Sequence, residues 1–209
     1  MITSLPNLLT LSRIGVIPAI VALFWVEGDT ARWVMLGVYT VACVTDFFDG
    51  YFARSMKIQS NLGQFLDPVA DKLLVGALIF MLVAFDRLSG LAILPGLIIL
   101  CREILVSGLR EFLAELRVGM PVSKLAKWKT TIQMLTLGFL IVGDASPDAI
   151  PSIMIGETGI WVAAVLTLVT GYDYLRVGLV HITKEDERRE NNMNSSDDSP
   201  RAKNIEETS

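Results

Sequence analysis

Residues 32–85 read RWVMLGVYTVACVTDFFDGYFARSMKIQSNLGQFLDPVADKLLVGALIFMLVAF. Two apolar runs flank a short polar connection here, and each run is close to the roughly 20 residues that cross a bilayer as a helix. Carboxylates stand where the runs approach the connection, at Asp46, Asp49, Asp67 and Asp71. Because charge near the hydrocarbon region is costly, acids in such positions are candidates for function.

Similar apolar runs occur along the whole chain, which has 209 residues, 52% of them hydrophobic, and a mean hydropathy of +0.52. We predict an all-α, polytopic membrane protein with six transmembrane helices. The predicted spans are Leu8–Val26, Arg32–Ala53, Asp67–Phe85, Leu91–Phe112, Lys127–Val142 and Ile153–Val180. The first run has neither a preceding basic region nor a convincing cleavage site, which favours a retained span over a cleaved signal.

Basic residues are distributed unevenly between the predicted connections. They are concentrated after span two, after span four and at the start of the tail, at Arg54, Lys57, Arg117, Lys124, Lys184, Arg188 and Arg189. The three opposite connections contain only Arg32 and Arg87. Because basic loops stay on the cytoplasmic side, this bias predicts that both termini are cytoplasmic.

The end of the chain differs in composition from the rest. Residues 184–209 are rich in Asn, Ser, Asp and Glu and nearly free of apolar side chains, so they cannot bury enough surface to offset their chain entropy. We therefore predict a six-helix membrane domain at 1–183 and a disordered cytoplasmic tail at 184–209.

Soft metal ligands are scarce in this chain. Cys43 and Cys101 lie far apart in apolar runs, and we predict that both are buried free thiols. His181 is the only histidine and falls at the end of span six. No zinc site, histidine catalysis or nucleic-acid partner is predicted.

The acids between Asp46 and Asp71 follow a regular spacing. The pattern reads Asp46-x-x-Asp49-Gly50-x-x-Ala53-Arg54, then eight residues, then Gly63-x-x-x-Asp67-x-x-x-Asp71. Residues three or four apart share a helix face, so each pair of acids lies on one side of its helix. Close carboxylates repel unless cations neutralise them, and oxygen ligands suit hard ions such as Mg²⁺ or Mn²⁺. Two such ions would clamp a diphosphate for an in-line displacement.

The residues beside the acids fit the same chemistry. Gly50 and Ala53 leave space for a flat ligand or a second backbone. Arg54 is near enough to donate to phosphate oxygens, and one acid is available as a base toward an attacking alcohol. A purely structural interpretation exists for Asp67, which precedes Pro68 as a helix N-cap would. The joint spacing favours function.

The full pattern resembles the signature of the CDP-alcohol phosphatidyltransferase family, with every position matched. The resemblance implies a homodimeric six-helix membrane enzyme that uses two divalent ions. It implies attack by an alcohol on a CDP-linked lipid phosphate, with release of CMP. The metal ligands that it implies are Asp46, Asp49, Asp67 and Asp71, and Asp71 matches the catalytic base. The CDP-lipid site that it implies includes Gly50, Ala53 and Gly63.

Three further stretches resemble the branch of this family that joins CDP-diacylglycerol to sn-glycerol 3-phosphate in the bacterial inner membrane. They are Leu5-Pro6-Asn7-Leu8-Leu9-Thr10-Leu11-x-Arg13, Arg102-Glu103-Ile104 with Ser107-Gly108-Leu109-Arg110-Glu111-Phe112, and Ser123-Lys124-Leu125-x-Lys127-Trp128-Lys129-Thr130. The resemblance therefore implies these two substrates, with membrane lipids as the surroundings of the chain.

A phosphate acceptor that is a dianion near neutral pH needs fixed positive charge in its site. The candidates are Arg110 first, and then Lys124, Lys127 and Lys129. These bases could instead follow the positive-inside bias and contact lipid headgroups. Arg102 lies deeper beside Glu103, where a structural ion pair with a neighbouring helix is at least as good an interpretation as substrate contact.

Two alternatives to this function remain open from sequence. The same metals and cytidine site would serve another acceptor, such as inositol phosphate or serine. Intramembrane acids also occur in divalent-cation transporters, which form a different class of protein. Against a transporter, the acids cluster at one face of the membrane and not near its midplane, and no inverted repeat is visible.

Overall fold

The computed structural model describes the backbone of residues 5–56, 61–115 and 124–197, and the side chains of residues 11–45, 66, 69–114, 125–180 and 183. The described backbone forms six α-helices and contains no strand. They are α1 (Leu5–Leu23), α2 (Asp29–Met56), α3 (Asn61–Ala84), α4 (Ile93–Glu115), α5 (Lys124–Val142) and α6 (Ser152–Asp197). One-turn 3-10 helices precede α4 and follow α5, at Gly90–Ala92 and Gly143–Ala145.

The prediction of an all-α protein is confirmed, and each predicted span overlaps one helix, with ends that differ by up to several residues and by more in α6. The largest difference is at the end of α6, which continues to Asp197, although the sequence predicts disorder from residue 184. The segment after Thr183 is rich in Lys, Glu and Arg, which are strong helix formers, and Glu185 stands four residues before Arg189. A helix can therefore continue here without an apolar face. The boundary between a membrane domain and a tail stays a prediction.

The outward surfaces of the helices are apolar. Two helical segments are long and apolar enough to cross a membrane, Gly90–Ala114 and Ser152–Val180. Large hydrophobic side chains on the other helices are also exposed, among them Val41, Phe80 and Leu135. Soluble monomers rarely expose so much contiguous apolar surface, and this distribution is typical of helices that face lipid.

The four tryptophans mark the ends of these apolar surfaces. All four are exposed, at Trp25, Trp33, Trp128 and Trp161. Each lies near the end of a predicted span, where the amphipathic indole ring favours the membrane–water interface. The exposure of the tryptophans therefore agrees with the predicted positions of the span ends.

The interior packs tightly around α6 because this helix presents glycines to its neighbours. A Cβ atom at Gly159 would lie 2.4 Å from the Thr136 hydroxyl oxygen, and one at Gly156 would lie 2.7 Å from a Leu140 methyl carbon. Small residues allow two helix backbones to approach closely, which replaces the hydrophobic driving force that helices lack in lipid. The α5–α6 pair thereby forms a close-packed unit against which α2 and α4 lie.

Two arginines donate hydrogen bonds to the C-terminal end of α5, which is the end remote from the acidic motif. Arg32 donates to the carbonyl oxygen of Val142 at 3.2 Å, and Arg87 donates to that of Ile141 at 3.0 Å. These carbonyls have no partner within their own helix, and positive charge is favourable at a helix C-terminus. Arg32 and Arg87, the two basic residues of the predicted outer connections, therefore stabilise the end of α5. Because this contact explains their position, they do not argue against the orientation predicted from the other basic residues.

The two cysteines are not joined in a disulfide, but the prediction that both are buried is wrong. Cys43 is half-buried and Cys101 is exposed. Cys101 lies on the outer side of α4 near the exposed Leu97 and Ile104. A thiol behaves as a small apolar group, so it fits the apolar outer side of α4.

Candidate active site

The two pairs of acids lie on two consecutive helices, α2 and α3. Asp46 and Asp49 lie in the second half of α2, and Asp67 and Asp71 lie in the first half of α3. Both α2 and α3 pack against α1. Because α3 begins at Asn61, Asp67 is inside the helix and does not cap it, which removes the structural interpretation of this acid.

Several predicted site residues lie outside the described side chains. They are Asp46, Asp49, Gly50, Ala53, Arg54, Gly63, Asp67 and Lys124. No group of three or more His, Cys, Asp or Glu side chains that could hold a metal comes together among the side chains that are described. Since three of the four predicted ligands are not among those, the assignment of the metal ligands and of the CDP-lipid site stays a prediction.

Asp71 is the one acid of the motif whose side chain is described, and it lines a small polar cavity. The cavity has a volume of about 20 Å³ and lies between α3, α4 and α5. Its lining residues are Asp71, Lys72, Val75, Glu103, Lys129, Thr130, Gln133 and Met134. The structure thus brings the predicted base together with Lys129, one of the predicted acceptor residues.

Lys129 is held in this cavity by an ion pair. Its side chain is buried, and its ammonium group donates to the carboxylate of Glu103 on α4. The same carboxylate oxygen lies 3.4 Å from the guanidinium nitrogen Nη1 of Arg102. A buried charge without a partner is strongly destabilising, so Glu103 allows a lysine to be present at this depth.

Arg102 connects the ion pair to α6. Its Nη2 atom donates to the hydroxyl oxygen of Thr170 at 2.8 Å, and its guanidinium carbon lies 5.8 Å from the centre of the Tyr174 ring. A Cβ atom at Gly171 would lie 3.0 Å from the side chain of Arg102, so the absence of a side chain there makes room for the arginine. Arg102 therefore donates a hydrogen bond to a neighbouring helix, whereas its ion pair is with Glu103 on its own helix and not with a residue of a neighbouring helix, as the structural interpretation had it.

Positive charge surrounds Asp71. Arg13, Lys129 and Lys72 are all close enough to interact electrostatically with its carboxylate. Lys72 also donates a hydrogen bond to the hydroxyl of Ser107 on α4, which fixes its position beside the cavity. These cations attract anionic ligands to the cavity.

The remaining predicted acceptor residues lie away from the cavity wall. Arg110 and Lys127 are both exposed, on α4 and α5. Arg110 is close enough to Lys72 to interact with it electrostatically, so it contributes to the same positive region. The assignment of these two residues to the acceptor phosphate stays a prediction.

Sequence reasoning missed Lys72, Ser107, Gln133 and Thr170. A signal for two of them is present in the spacing, because Gln133 is four residues after Lys129 and Ser107 is four residues after Glu103. Each therefore lies on the same helix face as a charged residue. Thr170 carries no such signal, because its partner Arg102 is distant in sequence.

Comparison with known proteins agrees with this arrangement. Residues 3–169 match the family model of CDP-alcohol phosphatidyltransferases. The chain belongs to the CDP-alcohol phosphatidyltransferase family, whose members are generally dependent on divalent metals. It is therefore an enzyme, and the transporter alternative is set aside.

Individual relatives carry a more specific name. A protein of Rickettsia typhi called CDP-diacylglycerol–glycerol-3-phosphate 3-phosphatidyltransferase is 47% identical over 83% of this chain and 96% of its own length. Proteins with the same name from Cereibacter sphaeroides and Haemophilus influenzae are 36% and 38% identical, over 87% and 83% of this chain. These alignments cover 98% and 92% of those relatives.

Proposed function

We propose that this protein transfers the phosphatidyl group of CDP-diacylglycerol to sn-glycerol 3-phosphate, giving phosphatidylglycerophosphate and CMP in phospholipid biosynthesis. The observation that carries the proposal is the similarity, over most of the chain, to relatives named for that pair of substrates. The cavity supports it independently, because a carboxylate of the acidic motif faces a buried lysine there.

In this mechanism Asp71 is the general base. Its carboxylate takes the proton from the primary hydroxyl of glycerol 3-phosphate, and the oxygen attacks the phosphorus atom that bears diacylglycerol. One phosphorus–oxygen bond forms as the bond from the same phosphorus to CMP breaks, and CMP leaves with the electron pair. Positioning the hydroxyl at Asp71, away from bulk water, converts an encounter of three molecules into a reaction at a fixed site.

The donor diphosphate requires cations that the described side chains do not supply. We propose that Asp46, Asp49, Asp67 and Asp71 hold two divalent ions, Mg²⁺ or Mn²⁺. The chemistry of the donor set fits, because these are four carboxylates on two helical segments and hard ions prefer oxygen ligands. Bound ions would neutralise charge on the diphosphate. Gly50, Ala53 and Gly63 would leave room for the cytidine diphosphate, and Arg54 would donate to its phosphate oxygens.

The acceptor phosphate needs positive charge near the cavity. We propose that Lys129 and Arg110 supply it, with Lys124 and Lys127 at the cytoplasmic mouth of α5. Among the acceptor candidates whose side chains are described, Lys129 is the one that lines the cavity with Asp71. Charge-assisted hydrogen bonds from these groups would hold the dianion while its free hydroxyl reaches the base.

A product assay tests the choice of acceptor. Purified protein is incubated with labelled CDP-diacylglycerol and Mg²⁺, and with glycerol 3-phosphate, inositol phosphate or serine in separate reactions. We expect a lipid product together with CMP only in the presence of glycerol 3-phosphate, because the similar proteins are named for that acceptor. Product formed only with serine or with the inositol compound would contradict the proposal.

We further propose that all six helices cross the bacterial inner membrane and that both termini and the active site face the cytoplasm. The apolar outward surfaces and the tryptophans near the helix ends support this arrangement. The family resemblance also implies a homodimer, and a detergent-corrected mass equal to one chain would contradict that part of the proposal.

Cysteine labelling tests the orientation. In a chain whose native cysteines are replaced by alanine, Ser89→Cys and Ser123→Cys put one thiol into a connection on each predicted side. We expect a membrane-impermeant maleimide to label the Ser89→Cys variant in intact spheroplasts, and the Ser123→Cys variant only after permeabilisation. The reverse pattern would place the acidic motif on the outer side.

A further inference from the structure

A buried glutamine on α5 lines the same cavity as Asp71. Gln133 is only 5% exposed, and its side-chain oxygen has no hydrogen-bond partner among the residues that the structure describes. It lies one helical turn from Lys129, and both residues contribute to the cavity wall. None of the assigned roles, as base, metal ligand or phosphate contact, uses this side chain.

An unpaired amide oxygen at this depth requires an explanation. Polar groups in a protein interior are nearly always hydrogen-bonded, because burial without a partner is unfavourable. Lys129 and Lys72, the two cations that line the cavity, donate to Glu103 and to Ser107 instead. The oxygen of Gln133 is therefore available to a donor that enters from outside the chain.

The size and polarity of the cavity restrict what that donor is. A volume of about 20 Å³ leaves room for groups of the size of a hydroxyl and not for a phosphate, so the phosphate of the acceptor has to lie outside the cavity. An amide oxygen accepts hydrogen bonds and would repel a phosphate dianion, which has no proton to donate. A hydroxyl group satisfies both conditions.

We propose that Gln133 is a specificity-determining residue that accepts a hydrogen bond from the secondary hydroxyl of the acceptor. This inference rests on the proposed function, in which Asp71 receives the proton of the primary hydroxyl. The two hydroxyls of glycerol 3-phosphate are on adjacent carbons, so a primary hydroxyl at Asp71 brings its neighbour to another wall of the same cavity. Gln133 thereby selects a vicinal diol over a simple alcohol.

The proposal is tested with an acceptor that lacks the secondary hydroxyl, 3-hydroxypropyl phosphate. For the unmodified enzyme we expect kcat/KM to be about tenfold to a hundredfold higher with sn-glycerol 3-phosphate than with this analogue, because a site built for a hydroxyl leaves its polar group unpaired without it. In Gln133→Met, which keeps length but removes the oxygen, we expect the preference to fall to within about threefold. The KM for CDP-diacylglycerol should not change.

Thr136→Val is the matched control. Thr136 is also buried and polar on α5, but it packs against Gly159 and does not line the cavity. We expect this variant to keep the preference of the unmodified enzyme. If Gln133→Met does not fold, Gln133→Asn withdraws the same oxygen by one methylene and should produce the same loss.

The outcomes separate this inference from the function on which it rests. An unmodified enzyme that makes no lipid from glycerol 3-phosphate would refute the proposed function. An active enzyme whose preference is the same in Gln133→Met as in the unmodified chain would refute the role of Gln133 alone, and would indicate that its oxygen binds only a structural water.

Discussion

Replacing Asp71 by asparagine is expected to lower kcat by about a thousandfold or more. Asparagine keeps the shape of the side chain but cannot accept the proton of the acceptor hydroxyl, and general-base catalysis contributes roughly 10²–10⁴-fold to a rate. Steady-state release of CMP from labelled CDP-diacylglycerol measures the loss. Binding of the CDP-lipid should be retained in large part, because three other acids of the motif remain.

Asp86→Asn is the control for this substitution. Asp86 follows α3 at the end opposite to Asp71, is exposed, and has a φ angle of 54°. Asparagine tolerates this left-handed conformation better than most residues, so the control variant should fold and turn over normally. Turnover by Asp71→Asn within about tenfold of the unmodified rate would exclude this residue as the essential base.

Most of the predictions about the site came from the spacing of the acids. Asp46, Asp49, Asp67 and Asp71 repeat at helical intervals within a short segment, so their shared faces follow from local geometry alone. The same is true of the helices, because a long apolar run predicts a helix regardless of what it packs against. These predictions needed no knowledge of distant contacts.

The contacts between helices could not be predicted in this way. Glu103 and Lys129 lie on different helices, and nothing in the spacing of either residue indicates that they form an ion pair. The exposure of Cys101 likewise depends on which face of α4 is turned away from α6. Such features are determined by the packing of one helix on another, in which the close approach at Gly159 and Gly171 is decisive.

The second large effect is expected at the ion pair between Lys129 and Glu103. In Lys129→Met, the carboxylate of Glu103 keeps only Arg102 as a partner. In Glu103→Gln, the buried ammonium group of Lys129 faces a neutral amide in place of a carboxylate. Removal of one member of a buried pair destabilises a protein by about 3–5 kcal/mol. We therefore expect each single variant to unfold at a markedly lower temperature in detergent, measured by thermal denaturation.

The double variant separates a structural role of Lys129 from a functional one. Replacing both members of a buried pair by neutral groups is often close to neutral, so Lys129→Met combined with Glu103→Gln should regain most of the lost stability. If Lys129 also binds the acceptor phosphate, kcat/KM for glycerol 3-phosphate stays about tenfold to a hundredfold low, because hydrogen bonds to charged groups contribute about 1.5–3 kcal/mol. Its KM rises while the KM for CDP-diacylglycerol is unchanged. A double variant that recovered both stability and acceptor kinetics would show that this lysine serves the fold alone, and the acceptor site would then have to be sought among Arg110 and the exposed bases of α5.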